Sequence, residues 1–223
     1  MKLVDKIEAK LLDQMMSGEL APGDRLNETA LAEKFKASRT PVREAINRLV
    51  TSGHVTLDKG VGARVAVLDA ASVISMFEAL SELEALCARL AARRISAAEL
   101  RDLEDVHESY RSAAEREDIR LYYDLSIVFH DRIVALSQNK TLTSITQDLA
   151  KRLQPYRRKT LQKQFRIKQS WAEHEAILEA FRRGDAEAAE RQMRAHTSIV
   201  ADNAMAIIQL LDTQDAADAR IAS

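Results

Sequence analysis

The stretch Ser38-Arg39-Thr40-Pro41-Val42-Arg43-Glu44-Ala45-Ile46-Asn47-Arg48-Leu49 constrains the fold more than any other part of the chain. Ser38 suits a helix N-cap, since its hydroxyl can accept from an orphan N–H of the first turn. Pro41 falls inside that turn, where its missing N–H costs nothing. From there Val42, Ala45, Ile46 and Leu49 line one apolar face. Arg39, Arg43 and Asn47, spaced by four with Thr40 beside Arg39, line the other. Such a helix suits the DNA major groove: Arg grips guanine O6/N7 or a phosphate with two hydrogen bonds, and hydroxyls near a helix N-terminus favour phosphate. Taken alone, the helix fits a solvated basic face as well. Its neighbours decide between the two readings.

Upstream, Leu3, Ile7, Leu11 and Met15 keep a helical period that Ser17-Gly18 stops, and Pro22-Gly23-Asp24 makes a turn. Asn27 is placed to cap a short helix holding Leu31, Ala32 and Phe35, and Lys36-Ala37 is the turn into the Ser38 helix. Two short helices joined by a tight turn, the second with a polar front, make a helix-turn-helix. Downstream, Gly53 ends the helix. Val55 and Leu57 then alternate with polar residues, Lys59-Gly60-Val61-Gly62 forms a glycine-rich tip, and Val65 and Val67 alternate again. This reads as a hairpin wing that offers Lys59 and Gly60 to a phosphate or a minor groove.

The run from Ser17 to Val65 resembles the winged-helix domain of GntR-type bacterial regulators, through its PGxxLxE turn, LA helix, SRTPVREAxxRL segment and wing glycine. The resemblance implies DNA contacts from Ser38, Arg39, Thr40 and Arg43, with Thr29 near a phosphate and Lys59 and Gly60 reaching from the wing.

The chain has 223 residues, 46% hydrophobic and 30% charged, with 6 Gly, 3 Pro and 4% aromatics, which predicts a mostly α soluble protein. Net charge is −1. Nucleic-acid binding therefore needs a local patch, not a global field. The lone Cys87 shares a helical face with Leu83 and Leu90, excludes an intrachain disulfide, and reads as a buried core thiol in a reducing compartment. No signal-peptide core or long apolar run occurs, so a cytoplasmic location is expected. Expected boundaries are 1–68 for the winged helix-turn-helix, 69–212 for an all-α helical bundle, and 213–223 for a flexible tail.

In the bundle, Ser96–Glu99 and Ser170–Glu173 read as capping boxes, Asn139 and Asp185 as caps, and Pro155 as a kink. The run Arg157-Arg158-Lys159 reads as a solvated face. Three histidines, His130, His174 and His196, fall on three different helices, where a bundle can turn them inward as ligands of a divalent metal. His54 and His107 read as ordinary polar residues. Arg152, on the fourth bundle helix, is a candidate for pairing with a carboxylate, set against a plain surface role.

Segments such as VFHDRIVALSQNKTL and HEAILEAFRRGDAEAAERQMRAH resemble the FCD effector domain of the FadR subgroup within the GntR family. The resemblance implies a divalent metal, Zn2+ by preference, held by His130, His174 and His196, and a small carboxylate-bearing effector. The family's metal-binding Asp is replaced here by Ser126, and its first-helix Arg by Leu80; Asp124 lies about 200° round the helix from His130. Ser126 and Arg152 are the expected effector contacts.

The expected function is a ligand-responsive transcriptional regulator, a repressor, working as a homodimer on a pseudo-palindromic operator, with no membrane association and no catalytic residues. The rival reading is a metal-dependent helical-bundle enzyme. Trp171 and Met193 stand where a di-iron bundle would need Glu three before His174 and His196, and no phosphate loop or HExxH occurs.

Overall fold

The computed structural model describes residues 2–58, 60, 62–160 and 164–199. The chain divides into two compact units, residues 1–69 and 70–223, one residue from the boundary expected from the change of sequence period.

In the first unit, α1 (Leu3–Ser17) packs on α3 (Arg39–Thr51), and α2 (Glu28–Lys34) packs on α3 as well. Ile7, Leu11, Val42, Ala45, Ile46 and Leu49 are all essentially inaccessible and form the middle of this core. Burying an aliphatic side chain of this size contributes about 1.5–3 kcal/mol, so the apolar stripe of α3 is what fixes its polar stripe outward. Gly18, at φ 80°, ends α1 in the left-handed conformation that glycine adopts without a Cβ penalty. The hairpin pairs β2 (Val55–Asp58) with β3 (Gly62–Val65), antiparallel, in the register Val55 with Val65 and Leu57 with Ala63. A short β1 (Arg25–Leu26) adds to the far side of β3, giving the order β1-β3-β2. That third strand was not expected, because two residues cannot show a period of two. The Val67 end of the predicted wing strand lies beyond β3 and is exposed.

The second unit is helical: α4 (Ala70–Ala92), α5 (Ala97–Ser109), α6 (Arg111–Glu115), α7 (Ile119–Leu136), α8 (Lys140–Thr160), α9 (Gln164–Arg182) and α10, described over 186–199. Helix α4 packs on α7 and α8, α5 on α7 and α9, and α6 on α7 and α9. Several caps form as the sequence predicts. Ser96 and Glu99 make a reciprocal capping box, Asn139 Oδ1 accepts from Leu142 N, and Asp185 Oδ1 accepts from Ala188 N. Pro155 sits within α8.

The Ser170–Glu173 box is a correction. Helix α9 already runs from Gln164, so Ser170 lies mid-helix and buried. Glu173 does not return to the Ser170 backbone; its carboxylate accepts from His196 Nδ1 at 2.6 Å. A partner on another helix outcompetes the local cap. The predicted second bundle helix also breaks, at Tyr110, into α5 and α6. Cys87 is buried beside Val134 and Leu142, with Leu83, Leu86 and Leu90 packed round it. Among the described residues no helix is long and apolar enough to cross a membrane. Lys59 and the expected tail 213–223 lie outside the described residues.

Candidate nucleic-acid interface and metal centre

The polar face of α3 is exposed as its period requires: Ser38, Arg39, Thr40, Arg43 and Asn47 all face solvent within the first unit. Ser38 stands at the N-cap in extended conformation (φ −73°, ψ 165°), but its hydroxyl makes no cap hydrogen bond, contrary to expectation. Asn27 does cap α2, its Oδ1 accepting from Thr29 N at 2.9 Å and Ala30 N at 3.1 Å. This leaves Thr29 exposed in the first turn of α2. Gly60 is exposed at φ 82°, and an added Cβ would meet nothing within 4 Å, so the wing tip needs glycine for its backbone angle and not for space.

One residue that the sequence reading quoted only as the closing Glu of the PGxxLxE turn joins this face. Glu28, the first residue of α2, accepts from Arg43 Nε at 3.0 Å (Oε1) and Arg43 Nη2 at 2.8 Å (Oε2), and from Arg39 Nη2 at 3.2 Å (Oε2). The Arg43 hydrogen bond, and then that of Arg39, hold the Glu28 carboxyl below the usual carboxylate range. Glu28 lies eleven and fifteen positions before the two arginines, and no local pattern signals such a contact.

In the bundle, His130 on α7, His174 on α9 and His196 on α10 do converge. Each offers a ring nitrogen within 4.8 Å of the others, and all three side chains are buried. His174 Nε2 and His196 Nε2 are 3.1 Å apart. Two of the opposite nitrogens are hydrogen-bonded to an oxygen, His174 Nδ1 at 2.8 Å from Tyr110 Oη and His196 Nδ1 at 2.6 Å from Glu173 Oε2; His130 Nδ1 lies 3.1 Å from Glu84 Oε2 without hydrogen-bond alignment. Oxygen partners on the far nitrogen are what fix the tautomer and ring orientation of metal-binding histidines. Two Nε2 atoms this close are joined either by a hydrogen bond, one ring's N–H donating to the other's lone pair, or by a metal ion that takes both lone pairs. Two nitrogens about 2.0–2.1 Å from one tetrahedral ion stand about 3.3 Å apart, close to the spacing present. The donor set therefore fits a borderline divalent metal. Burial first, then His196 and His130, drive the His174 pKa well below its ordinary value, which keeps the ring in the neutral form a metal requires.

Around the triad, the sequence reading is partly corrected. Ser126 is buried one turn before His130, as expected. Asp124 is exposed, consistent with its angle on the helix. Arg152 is half-buried, and no hydrogen bond or ion pair joins it to the three histidines; its Nε is buried without a partner. The guanidinium that does reach them is Arg157, read beforehand as part of a solvated run. Five residues further along α8, it lies about 140° round the helix from Arg152 and on the inward side with Leu153. Its Nη2 is 3.5 Å from His130 Nε2, and its Nη1 donates to Glu84 Oε1 at 3.1 Å. Glu84 Oε2 also accepts from Thr197 Oγ1 at 3.1 Å. Burial alone would raise the Glu84 carboxyl, but Arg157 and then His130 outweigh it and hold it below the ordinary range. Glu84, Tyr110, Glu173 and Thr197 escaped the sequence reading because each looks like an ordinary helix residue until its partner helix is in place. His107, as expected, stays outside the triad: it stacks on Trp171 at 4.8 Å between ring centroids and lies 3.3 Å from Glu175.

Comparison with known proteins agrees with both halves. A family model described as "FCD domain" matches residues 75–198, and one described as "Bacterial regulatory proteins, gntR family" matches residues 3–65. The Nta operon transcriptional regulator of Aminobacter aminovorans is 35% identical over 62% of this chain and 65% of its own length, just under two thirds of that relative. An HTH-type transcriptional regulator in an unstable DNA locus of Streptomyces ambofaciens is 31% identical over 88% of this chain and 83% of its own. Among solved structures, E. coli McbR/YncC superposes with a TM-score of 0.79 at 23% identity, covering 95% of this chain and 99% of that one, which bears on the fold alone. The winged helix-turn-helix and the bundle are thus the two halves of a transcriptional regulator and not of an enzyme, and the chain belongs to the GntR family of bacterial regulatory proteins, with an FCD effector domain.

Proposed function

We propose that this regulator is a ligand-responsive repressor. Its reading head would grip operator DNA through Ser38, Arg39, Thr40 and Arg43, with Thr29, Lys59 and Gly60 on flanking phosphates, and its bundle would answer a small organic acid. One helix-turn-helix reads only a few base pairs, so useful affinity calls for a homodimer on a pseudo-palindrome. A cytoplasmic location follows from that role.

The observation that carries the sensing half is the buried triad His130, His174 and His196 with an oxygen behind each ring and the Arg157 guanidinium at its edge. A divalent metal there, Zn2+ by donor preference, would supply a Lewis-acidic position open to an anion. The chemistry suits an anionic ligand: Ser126 contributes a neutral hydroxyl where the family has Asp, and a carboxylate can bridge the open metal position and the Arg157 guanidinium. Arg157 is the arginine placed for it; Arg152 would serve only by turning its buried Nε side towards the site. Ser126 leaves space and a hydrogen-bonding hydroxyl beside the ligand.

Elemental analysis of the purified chain tests the centre: about one metal ion per chain is expected from one tetrahedral-type site. The same preparation, bound to a duplex recovered from a randomised pool, should release it on addition of a simple organic acid such as glycolate or succinate. No metal after purification, and none after soaking in Zn2+, would remove the metal-based version of the sensor.

A further inference from the structure

The reading head carries a carboxylate that its proposed task does not explain. Two guanidinium groups, Arg39 and Arg43, stand one turn apart on α3, and Glu28 from α2 holds both. The arginine side chains are well exposed, at 61% and 57%, whereas Glu28 is at 27%, so the acid lies behind the bases and leaves their outer ends free. The geometry on Arg43 is specific. Glu28 takes the side-on edge, the one formed by Nε and Nη2. A guanidinium has a second edge, end-on, between its two terminal nitrogens. That end-on fork is the one left to meet guanine O6/N7 or a phosphate.

We infer that Glu28 is a positioning residue and a charge brake in the reading head. It fixes Arg43, and Arg39 through the shared Oε2, so that the end-on forks face DNA together. It also cancels one of their two positive charges, which weakens attraction to any phosphate backbone and leaves more of the binding to base contacts. The inference rests on the proposed DNA-facing role of α3. The lowered carboxyl of Glu28 and the raised pKa of Arg43, each owed first to their mutual hydrogen bond, are consistent with it.

The test compares the intact wild-type chain with Glu28→Gln on two duplexes: the one the wild type recovers from a randomised pool, and a scrambled duplex of the same length. Binding is followed by anisotropy across a salt series. In Glu28→Gln the freed guanidinium adds about one phosphate-type contact, so affinity for the scrambled duplex should rise about fivefold at 0.15 M salt, with a salt slope steeper by about one. The ratio of recovered to scrambled affinity should fall about tenfold, the weight of one bidentate base contact. A second variant separates this from a simple helix-end effect. Glu28→Gln with Ala30→Glu returns an acid to the first turn of α2 at an exposed position, without the bridge. It should discriminate as poorly as the single variant.

An unchanged ratio in Glu28→Gln overturns the inference. So does recovery of discrimination in the double variant, or a parallel loss on both duplexes. A wild-type chain that prefers no duplex removes the DNA-facing reading beneath it, and this inference with it; a preference that Glu28→Gln leaves undiminished removes this inference alone.

Discussion

The ion pair between Glu84 and Arg157 is the most informative place to perturb the bundle, because the side chains are exposed by only 2% and 14% and solvent screens them little. Breaking such a buried pair from one side takes the nearest counter-charge from the other, at a cost of about 3–5 kcal/mol. Glu84→Gln keeps size and shape, so cavity effects are small. At about 2–4 °C per kcal/mol for a domain of this size, the bundle's melting temperature should fall by roughly 6–20 °C at pH 7. Arg157→Met should fall by a comparable amount. The double variant should recover much of the loss, with a coupling energy of about 2 kcal/mol or more from the four-way cycle. The pH dependence gives a second reading. Glu84 has a folded-state pKa depressed below its ordinary 4.5, so its contribution is fully present above that value and is lost as pH falls through the folded-state pKa. The gap between wild type and Glu84→Gln should therefore hold steady from pH 7 to about 5, then narrow by about 1.4 kcal/mol per pH unit below the unfolded value. Thermal melts by circular dichroism, run from neutral to acid pH, measure both. Additive single losses, with coupling under about 0.5 kcal/mol, would refute the claim that these two residues satisfy each other. A gap unaffected by acid would refute the claim that Glu84 is charged in the fold.

Other expected outcomes are simpler. His174→Ala should lower metal occupancy from about one per chain to near zero, read by elemental analysis, and Glu173→Gln should weaken the metal about 10- to 100-fold by loosening the far side of His196. Ser126→Asp should tighten metal binding by adding an anionic oxygen one turn from His130, measured by competition with a chelating dye; weaker binding would show that residue 126 does not face the centre. Arg43→Ala should cost about 1–3 kcal/mol on the recovered duplex if the arginine makes a bidentate base contact. Leu49→Ala, at a fully buried position behind the reading face, should cost the first unit about 2–5 kcal/mol in denaturant unfolding.

What the sequence revealed and what it hid divide along a physical line. Features written in local periodicity were legible: the apolar stripe of α3, the wing, the caps at Asn27, Ser96, Asn139 and Asp185, and the burial of Cys87. The convergence of the three histidines was legible too, because ligand chemistry is carried by residue type. Contacts between residues far apart in the chain were not. Glu28 entered only as the last residue of the PGxxLxE turn, Glu173 looked like half of a capping box, and Arg157 like one member of a solvated basic run. In each case the partner sits on another helix, as with Glu84, 73 positions from Arg157. The break at Tyr110 was hidden for a related reason. Its ring is fully buried and its hydroxyl reaches His174, so tertiary packing, and not any glycine or proline, ends α5 there.

The chain's one cysteine lends itself to a use of its own. Cys87 has no accessible surface, and burial pushes its thiol up to about 11, so hardly any nucleophilic thiolate exists near neutrality. A thiol-directed dye can modify it only during moments when α4 parts from α7 and α8. The speed of that colour change is a clock for opening of the effector domain, with no engineered label, and any small molecule that slows the clock announces itself as a ligand of this half of the chain.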